Sequence, residues 1–137
     1  NTRRLRVSRV DRLAESLLAT GFPSRKRHAD VNVYFYHQAA MLAHGVRRAG
    51  SAALDLAYVA AGRLVGFWEF SLNPWDIAAG LLLIGEAGGR FSDMRGSAHR
   101  LDGPHLAATN GRIHDELLGL FADVFNNRVR VPMPTTS

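Results

Sequence analysis

Hydrophobic and polar positions change period several times along the chain, and each change predicts a new element. Leu5 to Ser8 alternates as a strand does, and Leu13 to Thr20 is apolar enough for a buried strand ended by Gly21-Phe22-Pro23. Ser24 opens a basic polar loop. From Asp30 to Arg48 the residues Val33, Phe35, Tyr36, Ala40, Met41, Ala43 and His44 are distributed around one long helix, with Asp30 as its N-cap. Ser51 caps a second helix, in which Leu54, Tyr58 and Ala61 recur at helical spacing until Gly62 stops it. Leu64 to Phe70 carries Val65, Phe67, Trp68 and Phe70, a β-branched and aromatic run that predicts a strand with Glu69 as its polar member. Asn73 caps a third helix, with Pro74 at the first helical position and Asp76 in the first turn. Ile77 to Ala87 is almost uninterrupted apolar sequence, as in a helix enclosed by other elements, and Gly88-Gly89 ends it. Arg90 to Asp93 predicts a short strand, Met94 to Pro104 a turn-rich loop, and His105 to Thr109 a further strand. Asn110 caps a final helix through Phe125, marked by Ile113, Leu117, Leu120, Phe121 and Val124. The tail from Val131 to Ser137 has two prolines and no periodicity, so it reads as loose.

Strands that alternate with helices in this way predict an α/β fold, with helices layered on a mixed β-sheet. At 137 residues and 47% hydrophobic content, residues 1–137 can bury one core and form a single domain, and no internal repeat or linker divides them. Cysteine is absent, which excludes disulfides and thiolate zinc sites. No apolar run reaches the roughly 18 residues of a membrane span and no charged-then-apolar leader is visible, so the cytoplasm is the expected compartment, with no membrane partner. The net charge of +5 and the isoelectric point near 10.7 raise the question of nucleic acid. Much of that charge lies in Arg3, Arg4, Arg6, Arg9 and Arg12 and in Arg25-Lys26-Arg27-His28, and no aromatic residue interleaves with either cluster. The stacking platforms of single-strand binders are missing, so phosphate-bearing small molecules or plain solubility account better for the charge.

The chemistry concentrates where Glu69 and Asp76 flank one strand-to-helix turn. Spacing leaves two readings open. In one, Asp76 satisfies free N–H groups at the positive end of the helix dipole and Glu69 is solvated. In the other, both carboxylates face a ligand, one taking a hard cation through oxygen and the other accepting hydrogen bonds from hydroxyls. Asp55 lies four residues after Ser51 on the same helix and reads as structural or solvated. His37 and His44, seven residues apart, would share a helix face, but with no carboxylate near either they read as packing or surface residues.

Several motifs resemble the inositol monophosphatase family: Gly50-Ser51-Ala52-Ala53-Leu54-Asp55-Leu56-Ala57, Gly62-Arg63-Leu64, Gly66-Phe67-Trp68-Glu69, Pro74-Trp75-Asp76-Ile77-Ala78-Ala79-Gly80 and Glu86-Ala87-Gly88-Gly89. The likeness extends to Leu18-Ala19-Thr20-Gly21-Phe22-Pro23 upstream and Leu106-Ala107-Ala108-Thr109-Asn110 downstream, and it is to the C-terminal half of the family's fold. It implies phosphate ester hydrolysis with magnesium, a phosphorylated small molecule as substrate and a layered α/β architecture. Asp76 falls at the metal-ligand position, which makes it, with Glu69, a candidate catalytic residue; Glu69 falls at the inositol-contacting position, and Gly50, Ser51 and Ala52 at the turn that meets substrate hydroxyls. The family's other magnesium ligands, a Glu-Glu pair and an Asp-Pro-Leu/Ile-Asp-Gly-Thr loop, do not occur in these residues. Leu101-Asp102-Gly103 imitates part of that loop, but His99 and Arg100 stand where Asp and Pro are required, so it reads as a turn. Val65 replaces an Asp usual in relatives and Gly85 a Glu, the latter costing helix propensity of roughly 1 kcal/mol.

These observations lead to a phosphoesterase-type hydrolase, truncated relative to the family, whose site is shared across a homodimer, with an exchanged element as one way of pairing. The alternative is a catalytically silent half that acts as a binding or assembly module or needs a partner chain.

Overall fold

The computed structural model describes residues 4–22, 30–48, 50–70 and 72–136. Pro23, Ser24 and the basic run Arg25 to His28 lie outside them, as does Arg3. Five strands and four helices follow in the order β1 (Leu17–Thr20), α1 (Asn32–Leu42), β2 (Gly45–Arg48), α2 (Ala52–Ala60), β3 (Gly66–Phe70), α3 (Pro74–Glu86), β4 (Arg90–Ser92), β5 (His105–Thr109) and α4 (His114–Phe125). They form one sheet of strand order β2-β1-β3-β5-β4. β1 runs parallel to β2 and to β3, while β5 is antiparallel to both β3 and β4. The expected mixed sheet layered with helices is what the chain forms.

Alternation along the strands divides the core in two. Leu18, Trp68 and Ala107 point to one face, where Phe35 and Ala39 of α1 and Leu117, Leu120 and Phe121 of α4 cover them. Ala19, Phe67, Leu106 and Ala108 point to the other, under Leu56 and Val59 of α2 and Ile77, Leu81 and Ile84 of α3. Val65 is a core residue 5% exposed, and its backbone donates to Leu17 O and accepts from Asn110 N.

Three expected elements differ. Leu5 to Ser8 is not a strand; Val7 N donates to Ala87 O, a single backbone contact with the end of α3. Leu13 to Thr20 is interrupted, because Leu13–Glu15 forms one 3-10 turn closed by Ser16 N on Leu13 O, and only Leu17–Thr20 joins the sheet. The long helix stops at Leu42, and Gly45–Arg48 pairs residue by residue with β1 as an edge strand. His37 and His44 therefore share no helix face. Asp30 does accept a hydrogen bond, from Asn32 N at 2.9 Å, but it lies one residue ahead of the N-cap, which is Val31. Ser51 and Asn73 cap as predicted, accepting from Leu54 N at 3.2 Å and Trp75 N at 3.0 Å. Asn110 accepts from Arg112 N and Ile113 N ahead of α4 and also donates to Ser8 O and Val10 O, which ties the chain's beginning to its last helix. The tail is held at its first residue, since Gln38 of α1 binds both the N–H and the C=O of Val131.

Candidate functional site

β1, β2 and β3 are parallel, so their carboxyl ends lie along one edge of the sheet, and each is followed by the N-terminus of a helix. α1 departs to one face of the sheet while α2 and α3 depart to the other, so the connections diverge on either side of β1. Open α/β sheets form crevices at such a divergence.

The carboxyl end of β1 is fastened by a polar network. Trp68 Nε1 donates to Asn32 Oδ1 at 2.7 Å, and Asn32 Nδ2 donates to Thr20 Oγ1 and to Gly21 O, both at 3.0 Å. Thr20 Oγ1 in turn donates to Trp68 O at 2.6 Å. All three side chains are buried, so every polar group in the network is satisfied within it. This sets the first residue of α1 against the ends of β1 and β3. Sequence reasoning took Trp68 as a strand aromatic only and did not single out Asn32.

Gly21 follows directly, and Glu69 lies beside it. A methyl group on Gly21 would meet the Glu69 carboxyl oxygen Oε1, so the carboxyl group lies over the end of β1 in space that the glycine leaves open. Glu69 is half-buried on the face shared with Phe67, the face that α2 covers. Asp55 belongs to α2, the helix over that face. Asp55 is 2% exposed, and its Oδ2 is buried with no hydrogen-bond partner among the described residues. Burial pushes the Asp55 carboxyl up to about 6. Burial, followed by the charge of Asp55, pushes Glu69 up to about 7. Asp55 is thus buried, the structural of the two expected readings rather than the solvated one. A signal was present in the sequence: Asp55, Leu56, Val59 and Ala60 form one buried stripe of α2, and an acid within such a stripe is out of place.

Gly50, Ser51 and Ala52 stand at the N-terminus of α2, Gly50 and Ser51 exposed and Ala52 partly so. Asp76 is exposed in the first turn of α3. The residues singled out from sequence thus fall at one sheet edge, at the starts of α2 and α3 and the end of β3. Among the described residues there is no group of three or more His, Asp or Glu that could hold a metal ion. Asp76 alone does not make a magnesium site, so the described residues do not by themselves fit that ion. The Leu101-Asp102-Gly103 segment is a turn, with Gly103 N on Arg100 O at 2.8 Å. Among the described residues no helix is long and apolar enough to cross a membrane.

Comparison with known proteins agrees with this geometry. The sequence profile of the inositol monophosphatase family matches residues 1–126. The chain is 51% identical over 120 residues to the inositol-1-monophosphatase of Mesorhizobium japonicum, covering 86% of this chain and 45% of that protein. It is 49% identical over 121 residues to the Nus factor SuhB of Pseudomonas aeruginosa, again covering 86% of this chain and 45% of the relative. The solved inositol monophosphatase of Anabaena superposes with a TM-score of 0.83 at 42% identity, over 87% of this chain and 48% of that one. The chain therefore spans about half the length of the relatives it matches. From the motifs at the sheet edge, the fold that carries them and these likenesses together, the chain belongs to the inositol monophosphatase family.

Proposed function

We propose that this chain is a phosphoric ester hydrolase acting on phosphorylated small molecules, polyol monophosphates first among them. The observation that carries this reading is the convergence of Gly21, Ser51, Glu69 and Asp76 on one sheet edge, where two helix N-termini offer N–H groups to a phosphate and a carboxyl group stands ready for hydroxyls. In this reading the Ser51 turn, with Gly50 and Ala52, and Glu69 hold the substrate, and Asp76 is the carboxylate next to the reacting phosphate. Magnesium is the ion of the resemblance. Among the described residues Asp76 belongs to no group of three that could hold an ion, so in this reading further oxygen ligands join it at that position.

A second copy is the proposed source, in a homodimer that shares its sites. Apolar surface supports pairing. α1 leaves Val33, Tyr34 and Met41 exposed by half or more, α3 does the same with Trp75 and Leu82, and a cavity of about 540 Å³ opens between α1, the end of α4 and Met133. A single observation favours the second reading, a silent half that acts as a binding module or requires a partner chain: no metal-holding group of three exists among the described residues. An activity panel of phosphomonoesters, phosphodiesters and phosphotriesters, run with magnesium and with chelator, separates the two. Turnover of phosphomonoesters that chelator abolishes is expected. No turnover of any ester, with the chain folded, would leave the silent-half reading.

A further inference from the structure

His105, the first residue of β5, is a buried titratable group that the proposed function does not use. It is 7% exposed, and its Nδ1 accepts the backbone N–H of Met94 at 2.9 Å. A ring nitrogen that accepts carries no proton, so His105 bears its hydrogen on Nε2. The bond closes the loop 94–104 on itself, because Met94 opens that loop and His105 follows its last residue.

Little else fastens the loop. Asp93 and Ser97 make a turn of their own: Asp93 Oδ1 accepts from Arg95 N and Ser97 N, and Asp93 N donates to Ser97 O, all at 2.9 Å. Met94 is the anchor. Its side chain is fully buried in the core under α4, in the cluster of Trp68, Leu117 and Phe121, whereas residues 95–104 are exposed or half-buried.

The groups that face His105 come from three elements. From β3, Phe70 pairs with it in register with ring centres 5.6 Å apart, and the neighbouring Glu69 belongs to the other face of the strand. From α4, Phe125 lies 5.6 Å away, and the nearest carboxylate of that helix, Asp123, is taken by Arg130 at 2.6 Å. α1 packs Phe35 against Phe70 and Phe125, and His37 is its only residue with a basic or acidic side chain apart from tyrosine. The loop itself supplies Asp93, Arg95 and His99; the Arg95 guanidinium lies 3.9 Å from the centre of the Phe125 ring, and both His99 ring nitrogens are buried with no hydrogen-bond partner among the described residues. Burial holds His105 below the ordinary 6.5, Asp93 pulls it back up, and Arg95 and His99 push it further down.

We propose that His105 and the loop 94–104 form a latch that acid opens: when Nδ1 takes up a proton it ceases to accept, and the buried Met94 N–H loses its partner and leaves with the loop. Both nitrogens of a protonated imidazole are donors, so no turn of the ring restores the bond. A closed loop on a charged His105 would set two donors against each other, a cost that opening removes. The open loop binds the proton more tightly than the closed one, so closure is complete above about 6.5 and weakens as pH falls below it. Opening withdraws Met94 from the cluster that holds Trp68, whose indole donates to Asn32 at the ends of β1 and β3, and so reaches the sheet edge from behind. The latch does not depend on what that edge binds.

Backbone hydrogen exchange of the full chain, read by NMR from about pH 8 to about pH 5, tests the latch in a window that stays above the value of about 4 at which His114 titrates. The Met94 amide should be less protected than that of Val59 in the other core, and its protection should fall by about tenfold per pH unit below about 6.5. In His105→Asn, whose Oδ1 can take the place of Nδ1 and accepts without titrating, Met94 protection should stay level. Protection that stays level in the wild-type protein would overturn the latch, and an equal fall in His105→Asn would assign the effect to another group and overturn it too. Met94 and Val59 protections that agree at every pH would do the same, because the loop then opens only with the whole chain. If His105→Asn folds poorly, the wild-type ring decides. Nitrogen NMR at the alkaline end should show His105 Nδ1 unprotonated and coupled to Met94 N across the hydrogen bond, with the coupling lost as the ring takes up its proton. A protonated Nδ1 at the alkaline end, or a coupling that survives protonation of the ring, would overturn the proposal.

Discussion

Glu69 poses the sharpest chemical choice, because its carboxyl group lies over Gly21 and burial, followed by the charge of Asp55, raises its proton affinity. If it binds substrate hydroxyls, Glu69→Gln should raise KM for polyol phosphates by about tenfold or more, the loss expected for a charge-assisted hydrogen bond of roughly 1.5–3 kcal/mol, and leave aryl phosphates nearly alone. Steady-state kinetics on both substrate types decides this, and equal losses would assign Glu69 a direct chemical role instead. Asp76→Asn should abolish metal-stimulated turnover without loss of fold, since Asp76 is exposed and Asn is tolerated in a first turn; unchanged magnesium-dependent rates would remove Asp76 from the site. His114 tests burial away from the edge. Its ring bridges Thr109 Oγ1 at 2.9 Å and Ser92 Oγ at 2.8 Å. Burial, with a further push from Arg90 against a pull from Asp115, lowers it from 6.5 to about 4. The folded value is depressed, so the unfolded chain takes up the proton first, and the His114 contribution falls as pH drops from 6.5 towards about 4. Replacing His114 by Gln should flatten stability across that window in denaturant titrations, and an unchanged slope would argue against a neutral buried ring. The positions of Asp76 and Glu69, in a helix's first turn and at a strand end, were legible because they sit in dense motifs. Whether Asp55 is buried or solvated stayed open in the sequence, because helix spacing alone does not say which side of α2 meets the sheet.

Elements with a clear period were legible, and α1 shows why others were not. Its buried positions are Asn32, Phe35, Gln38 and Ala39, while Val33, Tyr34 and Met41 face outward, so polar residues inside and apolar ones outside blur the pattern. Gly45–Arg48 then continues the apparent helix in sequence, but its pairing with β1 satisfies a whole row of backbone groups, a nonlocal gain that local propensity does not contain. The α2 and α3 pair allows an element-scale test. A methyl group on Gly80 would lie 2.6 Å from Leu56 Cδ1 and 2.7 Å from Leu56 Cβ, whereas one on Gly85 meets nothing within 4 Å. Gly80→Ala should therefore destabilise by about 1–3 kcal/mol through overpacking. Gly85→Ala should stabilise by about 0.5–1 kcal/mol through helix propensity. Urea denaturation measures both, and the same sign for the two changes would contradict the close packing of these helices.

For the whole molecule, the question is what a chain of about half the family's length does with the surfaces it exposes. α1, α3 and the tail at Met133 carry large apolar side chains in the open, more than scattered single residues on a soluble surface would account for. The proposed homodimer would cover such surface and bring a second set of Glu69 and Asp76 residues to each site. Light scattering should show a dimer at micromolar concentration that dissociates on dilution, and a monomer throughout would remove the shared site. The central claim is that the sheet edge at the ends of β1, β2 and β3 receives a phosphorylated polyol. Backbone amide NMR of the chain during titration with inositol monophosphate tests it most directly. The account predicts perturbations centred on Gly21, Ser51, Ala52, Glu69 and Asp76, with the groove between α1 and α4 unchanged. Perturbations confined to that groove, or none at millimolar ligand, would contradict it.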